Sequence, residues 1–222
     1  MRGDILQDLI SRAYGRAAVS VGDWCDAYRP VDTTDPLRLR NRYMLLQAAF
    51  TTPRPESNRP VGYGMATWWG VFDSAYTRPG DYIVRRESRP GAADGGTWFI
   101  AAQQPLLPML CVRTTRMVSF TRATTTTTSG VGTYGGYTRA NANTLFTGFP
   151  ASVLNADIVG IDPTDLPADA IPESWQVLLP ARPEVVLLTG DLMTDDLGRT
   201  GVISSAELTD LGWRLLVKVT TT

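Results

Sequence analysis

Gly80-Asp81-Tyr82-Ile83-Val84 and Gly190-Asp191-Leu192-Met193 are the two stretches that decide the expected fold of this chain. Each begins with Gly-Asp, continues as an extended run and breaks at a charged turn that contains glycine. Apolar stretches resume after each turn and end near Arg122 and at Thr222. Because strands favour β-branched and aromatic residues between such turns, the repeated phrase predicts two small β modules in tandem.

The N-terminal segment has helical periodicity. From Asp4 to Ala17, apolar residues recur every three or four positions, and Asp4 is placed to cap the first turn. We expect Gly15 to weaken the end of this helix. The stretch from Leu37 to Phe50 alternates in its first half, which indicates a strand, and a helix over its second half fits the pattern nearly as well.

The predicted fold class is mainly β, with two small β-barrel or sandwich modules in tandem, an N-terminal amphipathic helix and a long Thr/Gly-rich loop. Five consecutive threonines, Thr124 to Thr128, open a glycine- and tyrosine-rich stretch without the apolar periodicity that would offset its ordering entropy. This change marks the module junction. We therefore predict a helix and β module over residues 1–123, a linker over 124–150 and a smaller β module over 151–222. Within the last module, 156–170 carries Asp and Pro and has a loop signature. The predicted strands cover 81–85, 97–102, 109–121, 175–179, 185–188, 201–204 and 213–219.

The charge composition gives little sign of nucleic-acid recognition. The formal net charge is -1, and a global positive excess, which a DNA-reading surface usually has, is absent from the sequence. The cations are twenty arginines and one lysine. Guanidinium groups pair bidentately and are buried at interfaces more readily than ammonium groups, so this bias suits subunit contacts; codon bias in a GC-rich genome explains it equally well.

Cysteine content and hydropathy bear on the compartment. Cys25 and Cys111 are too few for a disulfide framework, and Cys111 lies within an apolar run. Met1-Arg2-Gly3-Asp4 lacks the apolar core of a signal peptide, and no run approaches the roughly 20 apolar residues that cross a bilayer. We expect folding in a reducing cytoplasm and no membrane contact.

The motifs that could indicate catalysis or cofactor binding lack the neighbouring residues that such sites need. The turn Gly130-Val131-Gly132-Thr133-Tyr134-Gly135 has dinucleotide-binding spacing, but it follows a threonine run instead of a buried strand. The chain contains no histidine to activate a nucleophile. Carboxylates near Asp191 and Glu207 lack the alternating spacing of a calcium loop. We predict no enzyme activity and no catalytic, cofactor-binding or metal-binding residues.

Aromatic residues are the candidates for subunit contacts. Trp68 and Trp69 are adjacent in a predicted strand, so one of the two should face outward, where tryptophan often anchors an interface. Tyr134 and Tyr137 lie in the glycine-rich stretch, which can contact a neighbouring subunit if it is ordered.

Several phrases resemble virion proteins of tailed bacteriophages, specifically small β-barrel components of the head-to-tail region. The matching phrases are 80–84, 96–105, 110–113, Gly190-Asp191 and 212–215. The resemblance is best over about Tyr63 to Arg122 and is loose over the C-terminal module. It is a resemblance of architecture and not of a diagnostic motif. It implies a ring of identical subunits between portal and tail, through which DNA passes without being read. The second β module departs from the usual short neck protein and leaves a tail tube, adaptor or hub position open.

The expected function is therefore a structural one. We predict a virion protein, assembled in the host cytoplasm, that forms an oligomeric ring in the head-to-tail connector or tail and contacts portal, adaptor and tail proteins. Subunits would join when a strand edge, or an extended loop such as Thr124 to Gly136, pairs with the next copy. The helix of residues 4–17 would act as a docking element. The alternatives are a receptor-binding or fibre-attachment tail module and a carboxylate-dependent cell-wall hydrolase that uses Asp191 or Glu207.

Overall fold

The computed structural model describes residues 3–52, 66–89, 95–104, 106–123, 142–156 and 174–220, with side chains from residue 5 onward. Within these ranges the chain forms one α-helix, one turn of 3-10 helix and twelve strands. The N-terminal elements are α1 (Gly3–Val21), β1 (Asp23–Tyr28), the 3-10 turn (Leu39–Asn41), β2 (Arg42–Thr51), β3 (Thr67–Val71), β4 (Tyr82–Arg85), β5 (Gly96–Ala102) and β6 (Met109–Arg113). The C-terminal elements are β7 (Arg116–Ala123), β8 (Ala142–Asn155), β9 (Ser174–Leu179), β10 (Leu192–Asp195), β11 (Thr200–Thr209) and β12 (Gly212–Val219).

The strands form two closed six-stranded barrels, so the prediction of a mainly β chain with tandem β modules is confirmed. In the first barrel the strand order is β1-β2-β3-β6-β5-β4, and antiparallel pairing of β1 with β4 closes it. In the second barrel the order is β7-β8-β9-β12-β11-β10, and β7 pairs with β10. Adding six to each strand number of the first barrel gives the order of the second. The chain therefore contains one barrel topology twice.

The two barrels share a hydrophobic core where they pack together. Strand β5 has four consecutive buried residues because each of its faces is covered. Trp98 and Ile100 point into the first barrel, whereas Phe99 and Ala101 pack in the same cluster as the second barrel's interior. Tyr82 of β4 joins that shared cluster, and its hydroxyl donates a hydrogen bond to the Pro150 carbonyl at 3.0 Å. The interface uses β4, β5 and β6, so the wall formed by β1, β2 and β3 lies on the opposite side of the first barrel.

Helix α1 lies against β2 and β3 on that opposite wall. Its contact stripe consists of small residues: Ser11 and Ala18 are buried, and the Ser11 hydroxyl is 2.8 Å from that of Ser74. A side-chain carbon on Gly15 would lie 3.0 Å from Asp73 Cβ. The expectation that Gly15 weakens the helix end is wrong, since the helix continues to Val21 and Gly15 permits close approach to the barrel.

The change of barrel occurs earlier than the predicted junction. Residues 109–121, predicted as one strand, form β6 in the first barrel and β7 in the second, with the break at Thr114 and Thr115. Residues 142–150 of the predicted linker belong to β8, and 124–141 lie outside the described residues. The composition shift at Thr124 follows β7; it does not separate the barrels. The second barrel also has as many strands as the first, so it is not a smaller architecture.

Two other local predictions differ from the structure. The second half of 37–50 is strand β2 and not a helix, because its apolar residues alternate between the barrel interior and the surface. Residues 185–188 form no strand; β10, which follows them, is the strand that pairs with β7 and β11. Val185 and Leu187 nevertheless alternate inward and are buried in the second barrel's cluster.

Closure of both sheets removes the strand edges on which edge-to-edge subunit pairing depends. Among the described strands, each has two paired neighbours, so the predicted open-edge mechanism is wrong for them. The proposed extended arm, 124–136, lies outside the described residues. Subunit contacts that use the described parts of the chain must therefore be made by side-chain surfaces.

Candidate assembly surface

The repeated Gly-Asp phrase builds the same ionic contact in each barrel. Asp81, 2% exposed, accepts hydrogen bonds from Arg29 Nε at 2.9 Å and from Arg29 Nη2 at 2.7 Å. The same Arg29 nitrogen also donates to the Tyr76 carbonyl at 2.8 Å. Asp81 accepts two more bonds, from the Tyr43 hydroxyl at 2.8 Å and the Arg78 amide at 2.9 Å. The carboxylate thereby fixes the loop before β4 against β1 and β2.

The second barrel repeats this contact with Arg122 and Asp191. Asp191, also 2% exposed, accepts bonds from Arg122 Nε at 2.7 Å and Nη2 at 2.8 Å, and from the Leu188 amide at 2.8 Å. Arg122 Nη2 donates to the Val186 carbonyl at 2.7 Å. Gly80 and Gly190 precede the two aspartates with φ of 90° and 94°, a conformation that favours glycine. The repeated phrase thus encodes a repeated Arg–Asp latch.

These contacts shift the pKa of groups in both latches. The hydrogen bonds to Asp81 raise the pKa of Arg29 above its ordinary value, and those to Asp191 do the same for Arg122. Burial, followed by the negative charge of Asp81, raises the pKa of the Tyr43 hydroxyl. The guanidinium groups of Arg29 and Arg122 therefore keep their positive charge across the physiological pH range.

The acidic residues that sequence reasoning considered as a cation site have other partners. Asp195 Oδ2 accepts a hydrogen bond from Arg199 Nε at 2.8 Å, and its Oδ1 accepts the amides of Leu197 and Arg199. Glu207 pairs with Arg214 on the exposed outer face of the second barrel. Asp191 and Glu207, the residues of the hydrolase alternative, are thus a latch carboxylate and a surface ion-pair partner. In the described ranges, His, Cys, Asp and Glu do not form a group of three placed to hold a metal ion.

A groove of about 490 Å³ lies between α1 and the β1–β2 wall, and we call it the α1 groove. Its lining combines helix side chains, outward-facing strand residues and the loop after β3. These residues are Arg12, Gly15, Arg16, Val19, Trp24, Met44, Leu45, Leu46, Gln47, Asp73 and Tyr76.

Large apolar side chains in the α1 groove are exposed to solvent. Trp24 is 52% exposed, and Val19, Leu45 and Tyr76 are also exposed. The β pleat explains the position of Trp24: Cys25 and Ala27 point into the barrel, so Trp24 points out, beside Gln47 of β2. Burying such side chains against a partner contributes about 1.5–3 kcal/mol each. An aromatic side chain left half exposed in a groove is typical of a protein-contact site.

The outward face of α1 also carries exposed apolar side chains. Ile5 and Leu9 are about half exposed, because the helix turns its small residues toward the barrel. Leu106 and Leu107 are exposed nearby, and the Leu106 amide donates a hydrogen bond to Gln7 Oε1 at 3.0 Å. The helix expected to act as a docking element therefore does present aliphatic side chains outward.

The residues predicted as subunit contacts lie elsewhere than the α1 groove or outside the described residues. Trp68 is half-buried and packs edge-on against Trp98, with ring centroids 6.3 Å apart, at the first barrel's core. Trp69 is half-buried on the other side of β3. Tyr134 and Tyr137 lie outside the described residues. Neither Trp68 nor Trp69 lines the α1 groove.

Trp24, Val19 and Tyr76 were not singled out from the sequence. Trp24 precedes the interior pair Cys25 and Ala27, so a two-residue period in 23–28 would have indicated its outward face. Helix residues 5–17 carry apolar side chains at more positions than one face can bury, which is also a signal of an uncovered surface. Tertiary packing of α1 beside β1 and β2 brings Trp24 and the helix side chains together, and a local pattern does not reveal it.

A second groove, of about 400 Å³, lies on the outer face of the second barrel. It is polar, and Asn155, Gln176, Glu207 and Arg214 from neighbouring strands lie in its lining. The cross-strand pairs Glu207–Arg214 and Leu216–Gln176 set their spacing.

Comparisons of the chain with protein-family models, with curated proteins and with solved structures found no match. Within the described residues, the structure contains no helix of the length and apolar content needed to cross a membrane. The function must therefore be argued from the fold and its surfaces.

Proposed function

We propose that this protein is a structural component of a tailed-phage particle that forms an oligomeric ring in the head-to-tail connector or tail. The observation that carries the assembly role is the α1 groove, where Trp24 and its apolar neighbours are exposed between a helix and a closed barrel. The phage context is supported by the resemblance of the 80–84 and 96–105 phrases to head-to-tail proteins. DNA would pass through the ring without sequence recognition.

The tandem barrel explains how one chain can act as a ring segment. Two rigid barrels joined by a shared core place surfaces on opposite sides of the molecule at fixed separation. When one surface of a subunit contacts a different surface of the next, the contact is heterologous, and a suitable rotation closes it into a ring. Side-chain contacts at the α1 groove replace the strand-edge pairing that barrel closure excludes. Portal, adaptor and tail proteins would contact the faces of the ring.

The test is the oligomeric state of the purified full-length chain, measured by mass photometry and negative-stain electron microscopy. We expect rings, and we expect Trp24→Ala to raise the dissociation concentration by about tenfold or more, as truncating a central aromatic contact does. Leu208→Ala, an exposed aliphatic residue on the second barrel, is the matched control and should leave assembly unchanged. A chain that stays monomeric at all concentrations, alone and with portal protein, would contradict the proposal.

The polar groove on the second barrel favours a second candidate, a receptor-binding tail module. Amide, carboxylate and guanidinium groups on adjacent strands can bind sugar hydroxyl groups. A glycan array probed with the purified chain tests this candidate. Binding that is lost in Gln176→Ala would support it over the connector role, and no binding to any glycan would remove it.

A further inference from the structure

We propose that the α1 groove is filled by residues 157–173 of a neighbouring copy of the same chain. This inference rests on the proposed ring assembly and names the contact that builds it. The groove offers exposed apolar side chains together with the guanidinium groups of Arg12 and Arg16. Residues 157–173 lie outside the described residues, and their composition is the complement of that lining.

The segment is acidic and apolar. It contains five carboxylates, no lysine or arginine, and five branched aliphatic residues. The carboxylates are Asp157, Asp162, Asp165, Asp169 and Glu173, and the aliphatic residues are Ile158, Val159, Ile161, Leu166 and Ile171. Three prolines, at 163, 167 and 172, lower the entropy that the segment loses when a partner fixes it.

The groove side has the matching charge. Arg12 is 65% exposed in an ion pair with Asp8, so its guanidinium remains accessible on the groove rim. Arg16 lies one helical turn further on the same lining, and Asp73 is the one carboxylate there. The asymmetry extends to the chain: residues 1–113 carry 14 cationic and 11 acidic residues, whereas 114–222 carry 7 and 11. Opposite charges on two halves of one chain favour association of the first half of one copy with the second half of another.

The geometry favours a neighbouring copy as the source of the segment. The segment connects β8 and β9 of the second barrel. The groove lies on the β1–β2 wall of the first barrel, and the second barrel packs on the opposite wall, β4–β6. A contact between the groove of one copy and the β8–β9 connection of the next is heterologous, which is the contact type that builds rings.

Charge reversal tests this contact in the full-length chain. One variant carries Arg12→Glu and Arg16→Glu, and the second carries Asp165→Arg and Asp169→Arg. Each variant alone should need about tenfold or more protein to assemble, because like charges then face each other. An equimolar mixture of the two should assemble again, since every groove then meets an oppositely charged segment in an alternating ring. Arg40→Glu with Arg89→Glu makes the same change in net charge as the groove variant, at two exposed positions outside the groove lining, and should assemble as wild type.

The outcomes separate this inference from the proposed function. Wild-type rings with mixture rescue support both. Wild-type rings with reversal variants that assemble normally overturn the contact and leave the ring proposal intact. Rescue only when all four substitutions are in one chain would show that the segment binds its own copy, which also overturns the inference. Failure of the wild type to assemble overturns the proposed function itself. Far-UV circular dichroism of each variant verifies that the barrels remain folded.

Discussion

Replacing Arg122 with alanine should strongly destabilise the second barrel. The substitution leaves Asp191, 2% exposed, with only the Leu188 amide of its three donors, and it removes a donor from the Val186 carbonyl. Removing one partner of a buried ion pair costs about 3–5 kcal/mol. Because the Arg122 side chain is 34% exposed, we expect the lower end of that range, about 3 kcal/mol.

The first barrel provides a built-in comparison. Arg29→Ala removes the same bidentate contact, but Asp81 keeps the Tyr43 hydroxyl and the Arg78 amide. With one more remaining donor, the loss should be smaller, about 2 kcal/mol. Arg122→Lys keeps the charge without the fork and should fall between alanine and wild type.

The assay is urea unfolding of the full-length proteins, followed by tryptophan fluorescence and circular dichroism. The reasoning predicts that Arg122→Ala loses more stability than Arg29→Ala. It also predicts that Arg122→Ala with Asp191→Leu recovers part of the loss, because no buried charge is then left unpaired. A change in unfolding free energy below about 0.5 kcal/mol for Arg122→Ala, typical of an ordinary surface site, would refute the latch. So would the reverse order of the two alanine variants.

Two further outcomes are expected. Gly212→Ala should lower the free energy of unfolding, measured by thermal unfolding, by about 3 kcal/mol or more, because φ is +123° and the new carbon would lie 2.6 Å from the Leu179 carbonyl oxygen. The control Gly198→Ala, at φ +78° with no atom within 4 Å, should lower it by about 1 kcal/mol. Equal losses in the two variants would show that the close approach at Gly212 is unimportant. Unfolding free energy should fall above about pH 9, by about 1.4 kcal/mol per pH unit for each proton that only the folded state retains, because burial raises the pKa of the Cys25 thiol to about 12 and raises that of Cys111. The unfolded chain releases these protons first, so stability is full below that pH and is lost as pH rises toward the folded values. A Cys25→Ala, Cys111→Ala variant should lose less stability between pH 8 and 10.5, and an identical slope would rule out the thiols.

The sequence allowed the repeated β module to be predicted because the Gly-Asp phrase has a local cause. A positive-φ glycine followed by a carboxylate that accepts the Arg78 or Leu188 amide is readable over four residues. The partner arginines, Arg29 and Arg122, are 52 and 69 residues away in sequence from their aspartates, so the Arg–Asp contact itself could not be predicted from a local pattern. The sequence left barrel and sandwich modules open for the same reason, since the pairings of β1 with β4 and β7 with β10, which close the barrels, join distant segments.

The surface was harder to predict than the fold. The adjacent pair Trp68 and Trp69 attracted attention by composition, yet Trp68 packs at the first barrel's core. Trp24 is exposed because helix α1 contacts the barrel through Ser11, Gly15 and Ala18 and leaves a groove beside β1. Which face a helix turns toward a barrel depends on close approach at glycine and alanine, a property that apolar periodicity does not reveal.

The most direct test of the account is an electron-microscopy reconstruction of the purified full-length chain at concentrations where it assembles. The account predicts closed rings in which each α1 groove, including Trp24 in its lining, is covered by the neighbouring subunit. Single particles containing one copy, or rings in which Trp24 faces solvent and the contacts lie elsewhere, would contradict it.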